Sequence, residues 1–219
     1  MYKVCIFDLD GTLLSTVDSI AYIANKVLAH YNLPAQPVDD FNYYAGDGAN
    51  KLIERAFAAA GGDPDKIAEA REMYKAMFAK DPLYKVYPYD GMIETLQALK
   101  GDGAILTVCT NKPDKAARAN LAAMFGKDTF EIIQALDGSL ARKPAPDMAL
   151  AISEQLGVEP SECMYIGDTD TDMQTGKSAG MYTIGVLWGF RDREELEANN
   201  ADIIIEKPQE LIAIYRRHE

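Results

Sequence analysis

The spacing of apolar positions divides the chain into three stretches. Val4, Cys5, Ile6 and Phe7 form an unbroken apolar run with β-branched and aromatic members, which predicts a buried strand that breaks at Gly11. The spacing then changes to that of amphipathic helices. Ile20, Ile23, Ala24, Val27, Leu28 and Tyr31 predict one helix ending before Pro34, and Leu52, Ile53, Ala56 and Phe57 a second that stops at Gly61-Gly62. A third follows Pro64, with Ile67, Ala70, Tyr74, Met77 and Phe78 on one face. No convincing strand falls between about 16 and 84, and three successive helices exceed what one strand crossover needs, so this block reads as an inserted helical domain.

From Tyr87 onwards strand and helix patterns alternate. A helix with Ile93, Leu96 and Leu99 precedes a strand over 104–109, and a helix after Pro113 precedes a short strand over 131–133. A helix to Leu156, a strand over 163–166 and a helix to Gly180 come next. Strands over 182–187 and 203–205 then flank a charged segment over 191–197, and a helix starts at Pro208. With the first run this makes about six strands, an α/β fold with a doubly wound parallel sheet. The core domain is expected to comprise 1–15 and 85–219, and the helical domain 16–84.

Polar residues gather where the predicted strands end, the edge at which open α/β sheets bind ligands. Asp8 and Asp10 follow the first strand; buried neighbouring carboxylates repel and need a cation, a proton or donors, although Asp-Gly alone also makes a turn or helix cap. Thr110 and Asn111 offer a hydroxyl, an amide and backbone donors suited to phosphate oxygens, and equally to an ordinary capping turn. Lys143, before Pro144, is biased to an extended conformation from which its ammonium can neutralise an anion, or lie solvated at the surface. Gly167-Asp168-Thr169-Asp170-Thr171-Asp172 packs three carboxylates into five residues, favourable with a hard cation such as magnesium or at a helix N-terminus. Asp168 is the first choice as ligand, with Asp172 on its face if a helix starts at once.

Composition narrows the partners. A net charge of −12 argues against nucleic acid, and no apolar run approaches the roughly 20 residues of a membrane span. Met1-Tyr2-Lys3 runs straight into the first strand with no room for a signal peptide, so a cytoplasmic location is expected. Cys5, Cys109 and Cys163 lie in apolar runs and read as buried free thiols. His30 and His218 are isolated, which supports neither a histidine metal site nor a histidine triad.

Phe7-Asp8-Leu9-Asp10-Gly11-Thr12-Leu13-Leu14 resembles the first motif of the haloacid dehalogenase superfamily of aspartate-nucleophile phosphatases, and Thr110, Lys143 and Asp168 with Asp172 follow in the order of its other motifs. The resemblance covers essentially the whole chain. It implies a Rossmann-like core with a helical cap, Asp8 as nucleophile and Asp10 as general acid and base. It further implies phosphate binding by Thr110, Asn111 and Lys143, and Mg2+ held by Asp8, the backbone carbonyl of Asp10, Asp168 and Asp172. Tyr44–Leu52, Thr110–Pro113, Lys143–Pro146 and Trp188–Arg191 are similar to phosphoglycolate phosphatases, which implies 2-phosphoglycolate as the small phosphorylated metabolite hydrolysed. A phosphomutase like β-phosphoglucomutase, or a pyrophosphatase, is the alternative; a non-catalytic phosphometabolite sensor fits less well with Asp8, Asp10, Lys143 and Asp168 all kept. Gly46, Asn50 and Lys51 are the candidates for substrate specificity, with Tyr43, Tyr44 and Arg55 nearby, although Gly46 to Lys51 also suits a plain turn before a helix. One chain holds every proposed catalytic part, so a monomer or weak homodimer is expected.

Overall fold

The computed structural model describes residues 2–81 and 83–217; His218 lies outside the described residues. β1 (Val4–Phe7) and the short β2 (Leu14–Ser15) lead into four helices, α1 (Val17–His30), α2 (Phe41–Tyr44), α3 (Ala49–Ala59) and α4 (Ile67–Lys80). After β3 (Tyr87–Pro88) come α5 (Met92–Gly101), β4 (Ile105–Pro113), α6 (Asp114–Phe125), β5 (Ile132–Leu136) and α7 (Asp147–Leu156). β6 (Cys163–Gly167), α8 (Asp170–Ser178), β7 (Tyr182–Val186), α9 (Arg193–Ala198), β8 (Ile203–Ile205) and α10 (Glu210–Arg216) complete the chain. Six strands form the expected parallel sheet, in the order β5-β4-β1-β6-β7-β8.

β1 is apolar throughout because both of its faces are covered. Cys5 and Phe7 point to one side, with Leu106, Val108, Met164 and Ile166, under residues of α5, α6 and α10. Val4 and Ile6 point to the other, with Cys109, Cys163 and Tyr165, against Met148, Ala149 and Ile152 of α7. The three cysteines are free and buried, as expected. Among the described residues no helix is long and apolar enough to cross a membrane.

The helical run builds a hydrophobic cluster of its own. Val27 and Leu28 of α1, Phe41 of α2, Ile53 and Phe57 of α3, and Tyr74 and Phe78 of α4 pack together, joined by Phe190 from beyond β7. Its two ends meet in an antiparallel ribbon, Leu14 opposite Pro88 and Ser15 opposite Tyr87. Strands of two residues carry no readable period, so the pattern predicts neither. The structure also carries β4 on to Pro113, past a register shift after Cys109. Thr110 and Asn111 therefore sit in extended chain ahead of α6, and not at a helix start. The charged segment forms α9, capped by the Asp192 carboxylate, which accepts from Glu195 N–H.

Close approach of α8 to the sheet depends on Gly176. A Cβ there would lie 2.5 Å from the Thr183 methyl and 2.9 Å from Tyr165 Cβ. Gly176→Ala is expected to destabilise the fold by about 1–3 kcal/mol, because overpacking outweighs the roughly 1 kcal/mol that alanine gains in a helix. A urea midpoint equal to or above that of the unsubstituted protein would contradict this packing.

Candidate active site

β1 lies between β4 and β6, so the carboxyl ends of three strands from distant parts of the sequence open side by side. Lys143, in the loop before α7, is 2% exposed, and its Nζ lies 2.8 Å from Asp8 Oδ1 and 2.7 Å from Asp172 Oδ1. Asn111 fixes its backbone from both sides, accepting from Lys143 N–H at 3.0 Å and donating to Lys143 C=O at 3.1 Å. Asp172 Oδ2 accepts from the N–H and hydroxyl of Thr169, a capping box at the start of α8. Asp168, fully buried, accepts from the Thr12 hydroxyl at 2.7 Å and from Phe190 N–H at 2.8 Å. Gly11 makes this approach possible: its φ is +87°, and any Cβ there would strike the Asp168 carboxylate.

Burial dominates the protonation of this cluster. It pushes the Asp8 carboxyl up to about 7, against the Lys143 ammonium that pulls it down, while Asp172 and Asp10 add to the rise. Burial, then the Asp172 and Asp8 charges, likewise raise Asp168 well above the usual carboxylate range. For Lys143 burial favours loss of the proton, yet Asp172 and Asp8 overcome it and hold the ammonium charged.

One oxygen from each of Asp8, Asp168 and Asp172 falls within 4.8 Å of the others. Three carboxylates face one ammonium here, and Asp8 Oδ1 contacts that ammonium without accepting a hydrogen bond. An all-oxygen donor set with excess negative charge fits a hard divalent cation such as magnesium.

Asp10 Oδ1 accepts from Lys112 Nζ at 2.7 Å, and that ammonium lies 4.7 Å from the centre of the Phe78 ring on α4. Lys112 has no role legible in the sequence, since a single lysine carries no spacing signal. Thr110 is buried with its hydroxyl accepting from Lys112 N–H, whereas the Asn111 amide expected on phosphate is engaged with the Lys143 backbone and, at 3.4 Å, with Gly46 C=O. Asp8, Asp10, Thr110, Asn111 and Lys112 line a cavity of about 340 Å³ whose other walls come from the helical segment, from Pro113 and α6, and from Phe190. Of the three specificity candidates Gly46 lines it, while Asn50 and Lys51 do not. α3 turns Ala49 and Leu52 inward, which leaves Asn50 and Lys51 on its exposed side, Lys51 paired with Glu54. Arg55 bonds the Tyr43 and Tyr44 carbonyls and the Asp47 carboxylate.

The loop over 45–48 is seated on the sheet's edge. Arg191 donates to Ala45 C=O at 2.9 Å, Arg142 to Asp47 C=O at 3.1 Å, and the Thr171 hydroxyl to Asp47 Oδ1 at 3.2 Å.

The profile of the haloacid dehalogenase-like hydrolase family matches residues 5–186. A phosphoglycolate phosphatase of Aquifex aeolicus is 31% identical, over 99% of this chain and 98% of its own. An N-acetylmuramic acid 6-phosphate phosphatase of Pseudomonas aeruginosa is also 31% identical, over 98% of this chain and 95% of its own. The crystal structure described as a predicted phosphoglycolate phosphatase from Haemophilus somnus matches with a TM-score of 0.89 at 26% identity, over 97% of each chain. With the profile spanning most of its length and such relatives along nearly all of it, this chain belongs to the haloacid dehalogenase-like hydrolases and is a phosphatase, similar to the phosphoglycolate phosphatases of that superfamily.

Proposed function

We propose that the protein is a magnesium-dependent phosphatase that hydrolyses a small phosphate monoester through an aspartyl-phosphate. The observation that carries this reading is the buried set of Asp8, Asp168, Asp172 and Lys143 beside a cavity that also reaches Asp10. Asp8 attacks phosphorus, and the bond to the leaving oxygen breaks as Asp10 delivers a proton to it. Asp10, then ionised, takes a proton from water, whose oxygen attacks the aspartyl-phosphate, frees inorganic phosphate and restores Asp8. Lys112 orients Asp10 through Oδ1, leaving Oδ2 to exchange the proton. Lys143 and the Thr110 hydroxyl hold the phosphoryl oxygens, and Asp172 positions Lys143. Asp8, Asp168, the Asp10 carbonyl and Asp172 are the proposed holders of magnesium, which when bound supplies charge neutralisation between phosphate and attacking carboxylate.

The segment over 16–84 acts as a cap in this reading, a role supported by its separate cluster, the β2/β3 ribbon at its root and the seated 45–48 loop. 2-Phosphoglycolate is the candidate substrate that the relatives' names supply.

Asp8→Asn is expected to lower kcat by about 10³-fold or more, with the circular dichroism spectrum unchanged. Chelation should silence the unsubstituted enzyme and added magnesium restore it. Residual turnover of Asp8→Asn within tenfold of the original would rule out Asp8 as nucleophile.

The raised carboxyls also give a test that needs no turnover. Asp8 ionises near 7 in the folded protein and near 4 when unfolded, so between those values the folded state binds the extra proton. The stability of metal-free protein therefore falls as pH rises through that window, by at most about 1.4 kcal/mol per pH unit for each such carboxyl, Asp168 adding in the same direction. Magnesium binds the ionised forms, so the rise in Tm it produces should be larger at pH 8 than at pH 5.5. Equal rises at both, read by thermal scanning, would count against these carboxylates as ligands.

A further inference from the structure

The leaving-group side of the cavity is unlike what a short carboxylate needs. Asp8, Asp10, Thr110, Asn111 and Lys112 make one end of the cavity charged and polar, but the rest of its lining includes Ile20, Leu52, Tyr74, Phe78, Ala119 and Phe190. No lining cation is both buried and free among the described residues. Lys112 is held by Asp10, Lys75 is exposed and held by Glu72, and Lys115 is exposed. A glycolate carboxylate placed against Leu52, Phe78, Ala119 and Phe190 would give up water with no donor on those side chains to replace it, whereas hydrocarbon gains by leaving water there. The loop over 45–48 is already hydrogen-bonded to the core, so this volume of about 340 Å³ remains with the cap seated.

We infer that the preferred substrate is a phosphomonoester whose leaving alcohol carries an apolar body larger than glycolate, bound against α3, α4 and α6 with its phosphate at Asp8. This rests on the phosphatase reading and names the substrate class of that same site. The phosphoryl group occupies the polar end, and the alcohol's carbon skeleton fills the volume between Leu52, Phe78 and Ala119. Chain length in the alcohol then sets kcat/KM, because each further methylene buried there stabilises the transition state.

The test is steady-state kcat/KM of the full chain with magnesium on ethyl, butyl and hexyl phosphate and on 2-phosphoglycolate. The expected result is a rise of about fourfold per methylene from ethyl to hexyl phosphate, with 2-phosphoglycolate below hexyl phosphate. Ala119→Phe and, separately, Ala79→Leu each narrow the cavity, and should cut the hexyl-to-ethyl ratio about tenfold or more. Ala79 is exposed on α4, so that variant does not disturb the cluster beneath it. A flat or falling series, or 2-phosphoglycolate as the best substrate, would overturn the inference and leave the phosphatase reading standing. No turnover of any ester would overturn both.

Discussion

The Lys143 ammonium, buried between the Asp8 and Asp172 carboxylates, is the contact that the rest of the site is arranged to keep. None of the three charges is stable there alone. Burial would strip the lysine of its proton and load one onto Asp8, and the attraction between ammonium and carboxylates resists it. Removing one partner would leave a buried charge without its counterion, which costs several kcal/mol, about 3–5 in comparable pairs. Each charge is accordingly fixed by a neighbour: Lys143 by Asn111, Asp172 by Thr169, and Asp8 by the end of β1 between two other strands. Sheet order decides the rest, since the order β5-β4-β1-β6 sets the loops that follow these four strands along one edge.

The same backbone segments that carry the reacting groups also hold the 45–48 loop. Asn111 bonds Lys143 and reaches Gly46; Arg142, beside Lys143, bonds Asp47; Thr171, beside Asp172, bonds the Asp47 carboxylate. Lys112 continues the pattern, holding Asp10 while lying against Phe78 of α4. Seating the loop and aligning the site thus act on the same few residues. On the proposed reading, closure over a substrate and completion of the catalytic arrangement are one event, which keeps the proposed aspartyl-phosphate from solvent.

Much of this was legible in the sequence because burial on both faces writes itself as unbroken apolar runs, and strand ends expose their carboxylates in short acidic clusters. β1, the helical run, Asp8 and Asp168 are readable on those grounds, whereas Lys143 is singled out only by its place in the motif order of the resemblance. What escaped has physical reasons. The β2/β3 ribbon is too short to show a period. The extension of β4 to Pro113 depends on pairing with Leu136, a partner far along the chain, so Thr110 and Asn111 read as a helix start. The Asn111 amide is diverted by a lysine 32 residues away, and Lys112 finds Asp10 across 102 residues. Asn50 and Lys51 are candidates through the resemblance of 44–52 to a cap loop, and the rotation of α3 turns Ala49 and Leu52 to the cavity, with Asn50 and Lys51 on its exposed side.

That the cavity walls do not show in the sequence has a general cause. The polar residues of the proposed site lie where burial makes polarity expensive, and the carboxylates among them stand out as acidic clusters at strand ends. The walls facing the leaving group are built from Leu52, Tyr74 and Phe78, which share the helical spacing of the residues packed inside the cap and belong to the same cluster. An apolar side chain that closes a cavity and one that fills a core obey the same period and the same transfer free energy. Reaction type can therefore be read from the order of charged motifs, while the leaving group is set by surfaces that look like ordinary interior until the helices are placed over the sheet.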